Sequence, residues 1–304
     1  MTSIFKKSVC LLAMLVLVSS SAWAAKYKPI IPDDSYNHDQ FVTVVTGEAG
    51  SDNHRREFRA YVSVFDGADD DNGDGEADLL GVPHFVAYQM KKYEGKLPKG
   101  PKRPSPWITD KELNKDGIAP KDASYKHSRA FLSTRPNWYV RGHLCMKHHA
   151  WRLGKNADWN THTTINAVPQ RQKFNAGIWL DLENKTAKWA DEFDSVWIVD
   201  GPIFEPQPNT PRKWLGESGK GEMLVAIPDA LFKIVIRETD DPNKPEVLAF
   251  IYPQSLTTKK PFDHTPYLTS VDVIEQKTGL DFLTSLPTRD ENKIERSVAT
   301  EIWE

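Results

Sequence analysis

The sequence predicts a single domain of mixed α/β type. Its 304 residues, 39% of them hydrophobic and 27% charged, suffice for a sizeable core and are typical of a globular protein. Short segments rich in β-branched and aromatic residues recur along the chain, and one longer segment has apolar residues at helical spacing. Because no repeat or linker divides the chain, we expect these strands and helices to share one core.

The first residues have the features of an export signal, and we predict residues 1–24 to be a signal peptide. Two lysines precede an apolar run from Val9 to Val18, and AWA at 22–24 fits a small-x-small cleavage site. This run is too short for a membrane span, which takes roughly 20 apolar residues. We therefore predict an exported protein, periplasmic or secreted, with no membrane span.

The remaining chain is divided into a polar lead-in over 25–40, one domain over 41–288 and a charged tail over 289–304, helical or disordered. Strand-forming runs predict strands over 58–65, 84–90, 138–144, 195–204, 231–236 and 246–253. The main helix is predicted over 170–193, where apolar residues repeat every four positions. A shorter helix is predicted within 267–287, ending near Gly279.

Charge and cysteine count exclude some classes of site. The formal net charge is −3, and a cleaved leader would remove two lysines, so total charge does not indicate a nucleic-acid binder. Cleavage would also leave Cys145 as the one cysteine, which excludes an internal disulfide and a multi-cysteine zinc site. The basic segment KKYEGKLPKGPKRP (91–104) is either a solvated loop, which charge alone favours, or a loop facing phosphate groups.

An acidic loop between the first two predicted strands matches the start of a calcium-binding loop. Asp70, Asn72, Asp74 and the following glycine fit the pattern D-x-[DN]-x-[DN]-G. The twelfth position is Gly81, where such loops have a bidentate Glu, and no predicted helices flank the loop. A weak calcium site and a solvated hairpin loop both remain open.

The stretch YVRGHLCMKHHAW (139–151) holds three histidines and the cysteine, which raises the possibility of a zinc cage. In a strand, His143 and Cys145 would share a face while His148 would point away, so the ligands would not converge. We therefore predict Cys145 to be a small buried hydrophobe, and His148 and His149 to be surface or loop residues.

Hydrolysis of a phosphodiester bond is the alternative chemistry. It needs a base for water, a cation for the developing charge and positive groups for the phosphate. His143 suits a base near neutral pH, and Asn175 offers the oxygen ligand that Mg²⁺ prefers. In an ideal helix, Glu183 would lie about 12 Å from Asn175 along the helix axis and about 80° around it. It is therefore expected outside the inner shell, where it could hold a water bound to the metal.

Three motifs together resemble the DNA/RNA non-specific endonucleases of the Serratia nuclease type. Arg141-Gly142-His143 is followed by TTINAVPQ (163–170) and by FNAGIW (174–179) with Leu-Glu after it. Later segments such as VWIVDGPIF and LAFIYPQ also match, so the resemblance covers roughly residues 58–287. It implies an α+β fold with a central antiparallel sheet and a ββα-metal active-site motif.

The resemblance also implies roles for site residues. His143 would be the general base, and Arg141 would contact the substrate phosphate. Asn175 would bind Mg²⁺ directly, with Mn²⁺ as a substitute, and Glu183 would position a water of the metal shell. Arg103 in KRPSPWITD matches an upstream arginine that stabilises the charged transition state.

Two further residues, Asn166 and Gln170, would brace this site. One position departs from the family pattern, since Val140 stands where the family usually has an acid before Arg-Gly-His.

The implied function is an exported, Mg²⁺-dependent endonuclease that hydrolyses DNA and RNA to 5′-phosphate products. Val140 motivates an alternative, a nuclease-fold protein that binds nucleic acid with impaired catalysis. A calcium-binding surface protein is a third hypothesis, and formation of oligomers stays open.

Overall fold

The computed structural model describes residues 25–42, 54–65, 80–97, 100–125, 138–206, 211–257 and 259–304. The predicted signal peptide lies outside these residues, as do Asp70, Asn72 and Asp74 of the acidic loop. Among the helices of the described part, none combines the length and apolarity needed to cross a membrane.

A large antiparallel sheet forms the centre of the fold. Its strands are β1 (His54–Glu57), β2 (Val62–Phe65), β3 (Pro83–Lys91), β6 (Ser195–Ile203), β9 (Ala230–Arg237), β10 (Glu246–Pro253) and β11 (Leu268–Thr269). They form a 7-stranded sheet in the order β1-β2-β3-β6-β9-β10-β11. Two small hairpins accompany it: β4 (Tyr139–His143) with β5 (Ala167–Arg171), and β7 (Trp214–Leu215) with β8 (Val225–Ala226). The predicted α+β class with a central antiparallel sheet is confirmed.

Helices cover both faces of the sheet. They are α1 (Lys111–Lys115), α2 (Lys147–Arg152), α3 (Lys155–Asn160), α4 (Gln172–Phe174), α5 (Leu180–Glu192), α6 (Val271–Thr278) and α7 (Thr288–Glu295). The hydroxyl of Ser270 caps α6 by accepting a hydrogen bond from the Val273 amide at 3.3 Å. Gly279 ends α6 in the left-handed conformation at φ +72°, as the sequence predicts.

Successive side chains of each strand point to opposite faces of the sheet, so the sheet separates two hydrophobic cores. In β6, Val196 and Ile198 pack with buried side chains of α5, whereas Trp197 and Val199 pack on the other face with those of α6. The long helix α5 and the helix α6 therefore lie on opposite faces of the sheet.

Two predicted boundaries are wrong. The expected strand over 58–65 begins only at Val62, because the rings of Phe58 and Tyr61 stack at 4.5 Å and close a turn. The amide of Phe58 donates to the Tyr61 carbonyl across that turn at 2.8 Å. The expected helix over 170–193 begins at Gln172, since Gln170 pairs with Val140 in the β4–β5 hairpin.

Both ends of the described chain pack on the domain. In the lead-in, the Tyr27 hydroxyl lies 2.8 Å from that of Thr163. The tail contributes α7, and Trp303 packs edge-on against Trp189 with ring centroids 5.2 Å apart.

Candidate active site

The hairpin β4–β5 and the helix that follows it frame a cavity of about 500 Å³. Arg141 and His143 are two residues apart on β4, so their side chains leave the same face of the strand. Both line the cavity, together with three other residues that the sequence singles out, namely Arg103, Asn175 and Glu183. The structure therefore brings the predicted base, arginines and oxygen ligands to one place.

The imidazole of His143 is held by two other rings. Its centroid lies 4.6 Å from that of Trp107 and 4.9 Å from that of His162. Burial lowers the pKa of His143 well below its usual value, and the nearby His162 and Arg103 lower it further. His143 is therefore neutral at neutral pH, the form that can accept a proton.

Arg141 is anchored by an acid that sequence reasoning missed. Its Nη1 pairs with Asp122 Oδ1, and the Asp122 side chain is 6% exposed. The guanidinium also lies 4.8 Å from the ring centroid of Trp107. Although Val140 replaces the acid of the family pattern, Arg141 has a buried carboxylate partner from a segment 19 residues earlier.

The segment that carries Arg103 is tied to the chain just before β5. The Ile108 amide donates to the His162 carbonyl at 2.9 Å, and the Thr164 amide donates to the Ile108 carbonyl at 3.2 Å. These hydrogen bonds place Trp107 against His143, and Arg103 of the same segment lines the cavity.

The metal-ligand candidates lie on two sides of a break in the helix. Asn175 begins a distorted turn, Asn175–Trp179, in which Gly177 has φ −109° and ψ −116°. Glu183 lies in the first turn of the regular helix α5. The angle and distance expected for a continuous helix therefore do not apply, and both side chains face the same cavity.

The donor set fits a hard cation. Burial raises the pKa of Glu183 to about 8, while the charge of Lys233 lowers it. A cation in the cavity would favour the ionised carboxylate, because metal ligands must be deprotonated. An amide oxygen and a buried carboxylate oxygen are ligands suited to Mg²⁺.

Asn166 and Gln170 support the site in different ways. Asn166 is fully buried, and its amide accepts from the Cys145 amide at 2.8 Å and donates to the carbonyls of Cys145 and Thr161, each at 3.0 Å. It thereby fixes the loop after His143. Gln170 instead packs over Gly142, where an added Cβ would lie 2.1 Å from Gln170 Cδ.

The neighbouring histidines differ from each other. His148 is exposed and lines the cavity. His149 is buried, so the prediction that it is a surface or loop residue is wrong. Helix α2 begins at Lys147 and turns His149 inward, where it stacks on Tyr88 at 4.8 Å and bonds the Ala60 carbonyl at 2.9 Å. Cys145 is buried, as predicted. Within the described chain, no group with metal-ligand spacing includes residues 139–151.

Lys147 is a further cation at the cavity that the sequence did not single out. Its Nζ lies 3.7 Å from the carboxylate of Asp158, which is 1% exposed. Burial raises the pKa of Asp158 to about 6, and Lys147 opposes that shift. Only its position in the histidine-rich stretch could have indicated Lys147, because its partner belongs to another helix.

Comparison with known proteins agrees with this arrangement. A family model described as DNA/RNA non-specific endonuclease matches residues 37–289. The chain belongs to this family. The endonuclease-family match includes the whole β4–β5 hairpin, the distorted turn and α5.

Individual relatives are nucleases by name. A nuclease of Serratia marcescens is 30% identical over 185 residues, covering 60% of this chain and 62% of that protein. The mitochondrial nuclease EXOG of Danio rerio is 31% identical over 125 residues, covering 40% of this chain and 36% of that protein. The chain thus spans less than two thirds of the length of these two relatives.

A solved structure shares the fold. The chain in a crystal structure of the EndoG/EndoGI complex matches with a TM-score of 0.60 at 18% identity, covering 82% of this chain and 96% of that chain. At this identity the match supports the fold class alone.

Proposed function

We propose that this endonuclease-family chain hydrolyses phosphodiester bonds of both DNA and RNA. The observation that carries the proposal is the convergence of Arg141, His143, Asn175 and Glu183 on one open cavity. A base, a phosphate clamp and oxygen ligands are the three parts that this hydrolysis needs.

In the proposed reaction, neutral His143 takes a proton from water as the water oxygen attacks phosphorus. The new P–O bond forms in line with the bond to the 3′ oxygen, which breaks. The leaving 3′ oxygen takes a proton from solvent and His143 returns its proton to solvent, so the products are a 5′-phosphate and a 3′-hydroxyl. Arg141 and Arg103 hold the phosphate oxygens, since guanidinium groups match phosphate geometry.

Asn175 and Glu183 are the residues that would hold Mg²⁺, for which Mn²⁺ could substitute. The bound cation would supply positive charge at the phosphate and the leaving oxygen. Asp122 holds Arg141 in place for its contact with the phosphate, which favours the active enzyme over a binding protein with impaired catalysis.

We propose further that the protein is exported. This proposal depends on the leader-like residues 1–24 alone, with their lysines, apolar run and cleavage motif. Release of the cleaved protein into the periplasm or the medium would test it, and retention of the uncleaved leader in the cytoplasm would contradict it.

The decisive experiment is digestion of plasmid DNA and of RNA by residues 25–304, with Mg²⁺ and with EDTA. Cleavage should require the metal and be lost in His143→Ala. His54→Ala is the matched control, because His54 lies on the edge strand β1 outside the cavity. Binding of nucleic acid without cleavage by the folded wild type would instead support the impaired-enzyme alternative.

A further inference from the structure

The helices α6 and α7 and the segment between them place five carboxylates together on the side of the molecule away from the catalytic cavity. One carboxylate oxygen from each of Asp272, Glu275 and Glu295 lies within 4.8 Å of the other two, and the same holds for Asp281, Glu291 and Glu295. Glu295 belongs to both groups. Positions 272 and 275 share a face of α6, and 291 and 295 share a face of α7, so the facing helices bring their acids together.

Glu295 is the unusual member of this cluster. It is 7% exposed, and its Oε1 is buried without a hydrogen-bond partner among the described residues. A carboxylate in this position is costly unless a positive group compensates it. Burial and then the charges of Glu275, Glu291, Asp272 and Asp281 raise the pKa of Glu295 to about 7.

Side chains of the protein supply little compensation. Arg296 Nε lies 3.8 Å from Asp272 Oδ2, but the Arg296 side chain is 72% exposed and lies at the rim of the cluster. Glu275 Oε1 accepts a hydrogen bond from the Phe282 amide at 2.8 Å, which orients it without neutralising it. The described part of the chain shows no ion pair to Glu295 or Glu291.

We propose that this cluster binds a calcium ion, with Glu295 as the central ligand. Two oxygens on one calcium ion, each at about 2.4 Å from it, can lie at most about 4.8 Å apart. The spacing of the carboxylate oxygens fits that limit. Calcium accepts irregular sets of carboxylates and waters, whereas Mg²⁺ demands a nearly octahedral set of ligands.

The position of the site suggests a structural role. α6 packs on the sheet face opposite α5, which carries Glu183. The ion would join α6 to α7 and so hold the carboxyl-terminal helix to the domain. This inference does not depend on the proposed nuclease function.

The test is titration of residues 25–304 with CaCl₂, followed by calorimetry and thermal unfolding. Asn175→Ala serves as the background so that the catalytic cavity does not contribute. We expect calcium to raise the melting temperature, and Glu295→Gln to weaken binding by at least about tenfold. Glu301→Gln, an exposed acid in the same tail, is the matched control and should bind as the background does.

A second measurement distinguishes calcium binding by Glu295 from a role of this side chain in helix packing alone. In EDTA, Glu295→Gln should melt at a higher temperature than its parent, because the substitution removes like-charge repulsion, and the order should reverse with calcium. If Glu295→Gln does not fold, Glu291→Gln replaces it. An absence of calcium-dependent heat and stabilisation in the Asn175→Ala background would overturn the proposal, as would unchanged affinity in both Gln variants. Equal stabilisation by MgCl₂ would contradict the assignment to calcium.

Discussion

The imidazole rings of His143 and His162 meet edge to face, with centroids 4.9 Å apart and planes at 90°. His162 is itself held in place, since its Nδ1 lies 3.0 Å from the Asp158 carbonyl. Burial lowers the pKa of His162 to about 4, so this ring is neutral at neutral pH. In this neutral form it acts on His143 through its shape and position.

We predict that His162→Ala lowers kcat by about 10- to 100-fold while the protein stays folded, because the proposed base loses the ring that orients it. His162→Phe should retain most of the activity, since a phenyl edge can replace the imidazole edge. Steady-state kinetics on a short duplex, with circular dichroism as the folding control, checks both variants. Equal losses in the two variants would show that the bond to Asp158, and not the ring contact, positions His143.

The pair between Arg141 and Asp122 leads to a second prediction. Asp122→Asn keeps the size of the side chain but removes the charge that anchors the guanidinium. We expect kcat/KM to fall about tenfold, the loss typical of one charge-assisted hydrogen bond. Val140→Asp should not rescue this variant, because residue 140 leaves the opposite face of β4 from Arg141. Recovery of activity in the double variant would contradict that placement.

These two pairs show what the sequence could predict about the site. Arg141 and His143 share a strand face because they are two residues apart, so their convergence follows from local periodicity. Asp122 and His162 come from separate segments and contact those residues only through tertiary folding. No spacing rule along one chain segment could have indicated them.

The metal-ligand candidates show a different limit of prediction from the sequence, which is a break within a helix. A continuous helix would place Asn175 and Glu183 about 80° apart around the axis. The turn at Gly177 interrupts the helix between them and changes their relation. His149 was likewise misplaced because the short helix that turns it inward carries too few residues for a periodic pattern.

The contact of Gln170 with Gly142 gives a third prediction. A Cβ at position 142 would overlap the Gln170 side chain, at 2.1 Å from Cδ, so Gly142→Ala should destabilise the protein by about 1–3 kcal/mol. Gly142→Ala combined with Gln170→Ala should recover most of that loss, because the overlapping atoms are removed. Urea unfolding of the two single variants and the double variant measures the coupling. Purely additive losses would argue against the contact.

The buried His149 predicts loss of stability in acid. Burial lowers its pKa to about 3, whereas the unfolded chain has the usual value near 6.5. Between these values the unfolded state binds a proton that the folded state does not, so stability falls as the pH decreases. The slope from this residue is at most about 1.4 kcal/mol per pH unit.

His149→Phe should therefore have a shallower decline of unfolding free energy between pH 6.5 and pH 4 than the wild type. Denaturant unfolding at several pH values measures this difference. His54→Phe, on the edge strand β1, is the control and should keep the wild-type slope. The interpretation fails if His149→Phe and the wild type decline in parallel.

The last prediction concerns the ion pair of Lys233 and Asp200, which face each other on β9 and β6 and are both fully buried. Lys233 Nζ also lies 4.6 Å from the ring centroid of Trp179, in the turn between the two metal-ligand candidates. Lys233→Met leaves Asp200 buried without its ion-pair partner, and should cost about 3–5 kcal/mol of unfolding free energy. The double variant Lys233→Met/Asp200→Leu should recover most of this loss, because it removes both charges.

The double variant should recover its stability but bind the metal ion more weakly than the wild type. Lys233 lowers the pKa of Glu183 more than Asp200 raises it, so removing both should raise that pKa above about 8. A carboxylate that is harder to ionise binds a cation less well at neutral pH. We therefore expect a stable double variant that needs more Mg²⁺ for half-maximal cleavage than the wild type, with the difference narrowing as the pH rises. An unchanged Mg²⁺ requirement would limit the role of this ion pair to stability.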